Sequence, residues 1–534
     1  MRGRRQTADR RRQMADRRRQ TADSGGRWSV VGSRRSSVVS RWSCILCLLL
    51  LTGCLPTNQS PISNLQSPIS NPQSPISNPQ SPISNLQSPI TPRPNYSPGQ
   101  LVDYTAQTGD TLPVLALHFN TTADEILEAN PIIPEDATTL PPGLPMQIPI
   151  YFMPFWGSQF QILPDSLFVH GPAQVGFNTQ EFVEGQQGWL KDYHAYVAGK
   201  NRSGAGVVDY VATNFSLSPR VLLALLDYQT GALSQTSMPR EVDEDYPLGY
   251  QNRSHRGLYM QLVWAANTLN NGYYGWRTGR LTTLDFQDGT MEHPDPWQNA
   301  ATVTLQYYFS LDSTRIMFSF AAGPDGFAWT YQNLFGDPWV DVQPHIPGSL
   351  QQPEMRLPFE PGKTWAYTGG PHTGWGTGDP RAAIDFAPPA VAGGCIPSSE
   401  WVTAVAGGVV TRSEAGIVEL DLDGDGDPRT GWVVFYLHVA TKDRAPAGKV
   451  LEAGDPLGHP SCEGGRSTGT HIHIVRKYNG EWIPADGTLA FNLEGWITHN
   501  GDEPYQGTLT RFSQTVAANA NATKECLITA AEEE

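Results

Sequence analysis

The run Ser467-Thr-Gly-Thr-His471-Ile-His473-Ile474 decides the fold of the carboxy-terminal third of this chain. Side chains alternate across a strand with period two, so His471 and His473 share one face while Ile472 and Ile474 face a core. Two imidazoles side by side on one face of a half-buried strand build a site. Histidine is scarce, 12 in 534 residues, yet this pair is preceded by Tyr367-Thr-Gly-Gly-Pro-His372, by Arg381-Ala-Ala-Ile-Asp385 and by Phe435-Tyr-Leu-His438. Apolar runs joined by Gly-rich turns, Val402 to Thr411, Gly416 to Leu422 and Trp432 to Val439, supply further strands. An antiparallel sheet forming a groove is expected over 351–505, followed by a tail over 506–534.

A hydrolytic zinc site takes three ligands of the His and carboxylate kind and leaves a fourth position for water. His372, Asp385 and one His of the pair supply that count. In this order the motifs resemble the lysostaphin-like metallopeptidases of family M23. The step of thirteen residues from His372 to Asp385, across a Gly-rich loop, is like their beta-lytic branch. The commoner branch carries H-x-x-x-D, and Arg381 stands at its first position here. The resemblance implies that His372, Asp385 and His473 bind Zn2+, with His438 and His471 unligated beside it. One imidazole would then take a proton from water and one would stabilise an oxyanion, in an order the sequence leaves open.

Asp421-Leu-Asp423-Gly-Asp425-Gly-Asp427 sits between two of these strands, with oxygen ligands at alternate positions and Gly at the sharp-turn place of a Ca2+ loop. The twelfth position is Trp432 rather than Glu, so a solvated acidic hairpin tip is the other reading. Six cysteines occur; Cys395 and Cys462, both within the motif-bearing segment, are the expected disulfide, leaving Cys526 over.

Nearer the start, Val102-Asp-Tyr-Thr-Ala106 alternates like a strand, and Thr108-Gly109-Asp110-Thr111 reads as a turn and helix start. Leu112, Leu115, Ala116 and Phe119, then Ala123, Ile126, Leu127 and Asn130, recur at helical spacing. With Leu140-Pro-Pro-Gly143 and Ile148-Pro149 the unit resembles a LysM module over 99–152, although Pro113 inside the first helix departs from the pattern. The resemblance implies a βααβ fold whose two loops hold N-acetylglucosamine chains, through Gly109, Asp110, Thr111 and Asn130. Residues 153–350 are mainly helical and rich in aromatic side chains. Ser216 to Gly231 resembles the opening helix of lysozyme-like lytic transglycosylases, but Gln229 stands where a catalytic acid would be, and an unrelated α domain is equally open.

Residues 1–53 read as a basic low-complexity segment and signal peptide. The apolar run Cys44 to Thr52 is far shorter than the roughly 20 residues a spanning helix needs. It ends in Leu51-Thr-Gly-Cys54, which resembles a lipoprotein lipobox and implies a lipid on Cys54 and a membrane-anchored, extracytoplasmic protein. Residues 54–98 repeat SPISNLQ or SPISNPQ and read as an extended tether. The 24 basic and 49 acidic residues after Ser43 argue against nucleic acid as a partner. The expectation is a multidomain α+β protein: a zinc endopeptidase acting on peptide cross-links of peptidoglycan, or, from another class, a non-catalytic wall-binding lipoprotein.

Overall fold

The computed structural model describes residues 93–151, 156–390 and 393–532. The signal peptide, Cys54 and most of the tether lie outside the described residues.

Strands β1 (Gln100–Thr105) and β2 (Pro145–Ile150) pair antiparallel from Gln100↔Ile150 to Thr105↔Pro145, enclosing helices α1 (Leu112–His118) and α2 (Ala123–Ala129). This is the expected βααβ unit. Val102 and Tyr104 alternate inward onto Phe119 and Ile126. Pro113 falls in the first turn of α1, where a missing N–H costs nothing because that turn has no intrahelical acceptor. Helix α2 opens on a capping box: Glu125 N–H donates to Thr122 Oγ1 at 3.2 Å, and Thr122 N–H donates back to the Glu125 carboxylate at 3.2 Å.

Among the described residues eight α-helices follow, α3 (Asp165–Phe168), α4 (Thr179–Glu184), α5 (Gly204–Phe215), α6 (Pro219–Thr230), α7 (Leu258–Arg277), α8 (Ala300–Ser310), α9 (Arg315–Ala321) and α10 (Phe327–Phe335), interleaved with two-stranded ribbons. Helix α6 starts where Ser218 Oγ accepts the Val221 N–H, carries Pro219 in its first turn and stops at Gly231 in the left-handed region. Its Leu222, Leu223, Leu225 and Leu226 are buried all round, the mark of a helix interior to its domain.

The carboxy-terminal strands include β3 (Thr364–Thr373), β4 (Arg381–Ala387), β5 (Gly408–Glu414), β6 (Ile417–Asp421), β7 (Trp432–Leu437), β8 (Val450–Leu451), β9 (Ile472–Tyr478), β10 (Glu481–Trp482), β11 (Asn492–Leu493), β12 (Trp496–Asn500), β13 (Gly507–Arg511), β14 (Gln514–Ala517) and β15 (Leu527–Thr529). The main sheet runs β8-β5-β6-β7-β9-β4-β3-β15, antiparallel throughout, with β10 also paired to β9. Alternation buries both of its faces. Ile384, Phe386, Val434, Tyr436, Ile472 and Ile474 enter one core. Ala383, Phe435, Leu437, Val475 and Trp482 point the other way and merge with the core of the helical region. Fully burying side chains of this size is worth about 1.5–3 kcal/mol each.

The expectation of a tail over 506–534 fails. β13 and β14 complete a four-stranded sheet, β11-β12-β13-β14, and β15 edges the main sheet beside β3, with Leu509, Cys526 and Ile528 buried. Their apolar residues sit in runs too short for periodicity to declare them.

Candidate metal centre and active site

Strand pairing assembles the site. Asp385 of β4 lies directly opposite His473 of β9, whose other neighbour is Leu437 at the end of β7, so His438 follows alongside. His372 reaches the group from β3 across three irregularities in the β3–β4 register. Gly369 pairs with Asp385 and must lack a side chain, because a Cβ there would lie 2.5 Å from Asp385 Oδ2.

The geometry gathers three electron-pair donors. His372 Nε2 stands 3.0 Å from His473 Nδ1, and Asp385 Oδ1 stands 3.3 and 3.2 Å from these two nitrogens. The far nitrogen of each ring faces a carbonyl: His372 Nδ1 donates to Gly370 O at 2.8 Å, and His473 Nε2 donates to Gly374 O at 3.1 Å. Those bonds assign the tautomers and leave bare lone pairs on the two nitrogens that face each other. Asp385 Oδ1 is buried with no hydrogen-bond partner among the described residues. Three acceptors packed this closely call for a cation. Tetrahedral ligands at about 2.0–2.1 Å from zinc are about 3.3 Å apart, so the donor set fits that ion.

Two more imidazoles stand at the rim. His471 Nε2 is 3.7 Å from Asp385 Oδ2, and the His471 and His438 ring centroids are 4.5 Å apart. Each is oriented by a carbonyl, His471 Nδ1 donating to Gly469 O and His438 Nδ1 to Glu463 O, both at 2.8 Å. The disulfide Cys395–Cys462 is present, and Thr470 N–H donates to Gly394 O at 3.1 Å, so the crosslinked segment also holds the approach to His471. Cys526 is the free cysteine among the described residues and is buried. Burial pushes His438 down to about 4, with His471 and His473 adding to it, and burial likewise lowers His473. Burial alone would raise Asp385, but the imidazoles of His372 and His471 outweigh it and hold the carboxyl well below the usual range.

Tyr505 is a neighbour the sequence did not disclose. Its ring stacks on His372 at 4.0 Å between centroids, and its backbone bonds Gly370 and Pro371. It lies 133 positions from His372 in a polar loop, and no spacing rule connects the two. Arg381, at the first position of the commoner motif, points away and donates to Gly501 O at 3.0 Å.

Of the four residues expected to read sugar, Asp110 and Asn130 have their side chains engaged within the unit itself. Asp110 accepts from Tyr104 Oη and Gln107 N, each at 2.7 Å. Asn130 is buried, donating to Ile126 O and Gln147 O and accepting from Gln147 N. Gly109 lies under the Arg277 guanidinium, and Thr111 is the N-cap of α1. The loops around them are covered by the chain itself: Thr108 Oγ1 donates to Ile346 O, and Thr139 Oγ1 donates to Pro347 O while accepting from Leu350 N. Short polar residues at a turn serve the backbone as readily as a ligand, and here they do. In the helical region Gln229 accepts from Tyr308 Oη at 3.2 Å.

Two His and a carboxylate thus converge on an antiparallel sheet as a group that could hold a metal ion, with two further imidazoles beside them. The family model for the LasA N-terminal domain matches residues 161–349, and that for the LysM domain matches residues 104–149. The chain is 30% identical over 170 residues to the beta-lytic metalloendopeptidase of Lysobacter enzymogenes, covering 30% of this chain and 88% of that relative. It is 25% identical over 356 residues to protease LasA of Pseudomonas aeruginosa, covering 61% of this chain and 75% of that one. Among solved structures it is similar to the M23 metalloprotease pseudoalterin from the deep sea, with 25% identity, a TM-score of 0.27, and 31% of this chain and 96% of the other covered. The chain belongs to the beta-lytic metalloendopeptidase family of M23 peptidases and carries a LysM domain ahead of the peptidase.

Proposed function

We propose that this protein is a zinc-dependent endopeptidase that opens peptide cross-links of bacterial peptidoglycan. The observation that carries the reading is the convergence of His372 Nε2, His473 Nδ1 and Asp385 Oδ1 within 3.3 Å of one another, the carboxylate oxygen buried and without a hydrogen-bond partner among the described residues. These three would hold the ion. Bound there, zinc supplies Lewis-acid polarisation of the scissile carbonyl and brings the pKa of water toward about 7. His438 and His471 do the proton work. Carbonyls fix the proton on Nδ1 of each, so Nε2 is the free base that accepts a proton from attacking water and afterwards returns it to the leaving amine.

The basic leader, the apolar run and Leu51-Thr-Gly-Cys54 support export and a lipid anchor at Cys54, and a disulfide suits an oxidising compartment. The LysM domain supports attachment to wall glycan by tethering. Digestion of purified peptidoglycan is the test: new amino termini with no new reducing ends are expected. His473→Ala should lose both zinc and activity, whereas His438→Ala should keep zinc and lose about 10²–10⁴-fold in rate. Retained zinc in the first variant overturns the ligand set, and reducing ends as the sole product overturn the reaction.

A further inference from the structure

The β6–β7 hairpin tip carries a second set of oxygen donors that the peptidase reading leaves unused. Asp421 closes β6, and Asp423 and Asp425 follow at alternate positions. One carboxylate oxygen from each lies within 4.8 Å of the others. Asp427, which the sequence places in the same series, is diverted: its two oxygens accept from Arg429 Nε and Nη2, both at 2.7 Å. That pair also withdraws the adjacent guanidinium from the other three.

An acidic turn alone is an ordinary solvated feature, and Asp421 is what makes this one different. It is 0% exposed. Its Oδ2 accepts the Gly426 N–H at 2.8 Å, but its Oδ1 is buried with no hydrogen-bond partner among the described residues. A buried acceptor without a donor is costly, and a bound cation removes that cost. Gly424 and Gly426, at φ 77° and 82°, fold the turn back so that the exposed Asp423 and Asp425 return to the buried carboxylate. Burial pushes Asp421 up to about 6, and the neighbouring Asp423 and Asp425 charges add to the rise.

We propose that Asp421, Asp423 and Asp425 hold a calcium ion at this tip. The donors are all hard oxygens, which disfavours zinc. Two of the three carboxylates face solvent, which leaves room for the water ligands and irregular geometry that calcium accepts and magnesium resists. With Trp432 where a loop of this kind would carry a bidentate Glu, affinity belongs in the range of extracellular modules, about 10⁻⁴–10⁻³ M. The ion would stiffen a hairpin braced on two sides: Arg429 Nη1 donates to Gln174 O at 2.9 Å in the helical region, and Gly431 N–H donates to Asn479 Oδ1 at 2.8 Å beyond β9.

Terbium provides the probe, because Trp432 O accepts the Leu422 N–H and so sets that indole beside the turn as an energy donor. In the full-length, zinc-replete protein, terbium emission excited through tryptophan should saturate and be displaced by calcium, and calcium should raise the melting temperature relative to EGTA. Asp423→Asn and Asp425→Asn, both exposed and safe for folding, should weaken terbium binding at least tenfold, as should Asp421→Asn, while Glu128→Gln on α2 leaves it unchanged. Unaltered terbium binding in the Asp423 and Asp425 variants, or no calcium-dependent melting shift, overturns the site. Displacement by magnesium as strong as by calcium overturns the choice of ion. Because zinc and peptidase activity are read separately, failure here leaves the peptidase reading standing.

Discussion

Single residues set the proposed metal centre, and glycine is as decisive among them as histidine. An added methyl at Gly369 would lie 2.5 Å from the Asp385 carboxylate, so Gly369→Ala is expected to turn that ligand aside while leaving the apolar face of β3 intact. Zinc affinity should fall about 10–100-fold, the scale on which displaced supporting groups act, as measured by competition with a chromogenic chelator, with circular dichroism unchanged. His471 and His473 were legible as a pair because a strand has period two: they had to share a face, and Ile472 and Ile474 had to leave it. Tyr505 and the carbonyls of Gly370 and Gly374 were not legible, since they meet the imidazoles through backbone course and not through pattern. At Asp110 and Asn130, residues that looked like ligand readers are also hydrogen-bonded staples of their own unit.

Among elements, β4, β7 and β9 were predictable from alternating apolar runs, and the chain after residue 505 was not, because β13, β14 and β15 are short and take their meaning from the sheets they join. The same holds for the helical region: α6 announced itself with Ser218, Pro219 and an unbroken apolar run, but nothing in that run told which fold surrounded it. The disulfide acts at this scale. It closes a loop of 67 positions, and removing it with Cys395→Ala and Cys462→Ala together should cost about 4 kcal/mol by the chain-entropy estimate, read as a lowered melting temperature. Turnover should fall further than the melting shift accounts for, because Thr470, next to His471, is hydrogen-bonded to Gly394, the residue adjoining Cys395.

For the molecule as a whole, one buried arginine ties three regions together. Arg277 at the end of α7 reaches Asp165 at 3.0 Å and Glu481 of β10 at 3.2 Å, and also donates to the Thr108 carbonyl between β1 and α1. His345 approaches the same Glu481 at 2.7 Å. Arg277→Met would strand two buried carboxylates and should cost about 3–5 kcal/mol, seen in denaturant melts as loss of cooperativity. Acid should act in the same direction. Burial would raise Glu481, but Arg277 and His345 outweigh it and hold its pKa down to about 2, against an ordinary value of 4.5. His118, stacked on Trp276 at 3.6 Å, is held by burial down to about 3, against 6.5. In both cases the unfolded chain binds the proton first. Stability from His118 is thus complete above pH 6.5 and drains away toward 3, and that from Glu481 follows between 4.5 and 2. Melting temperatures taken from pH 7 to pH 3 should fall steadily, and a flat profile would contradict this account.

The sheet that lends one of its faces to the helices has a practical corollary for anyone trimming the gene. A shortened polypeptide starting near residue 351 would bare Phe435, Leu437, Val475 and Trp482 as a continuous greasy wall. Such a fragment should clump on expression, and rescuing it calls for hydrophilic replacements on that wall before any assay of the cutting machinery is worth attempting.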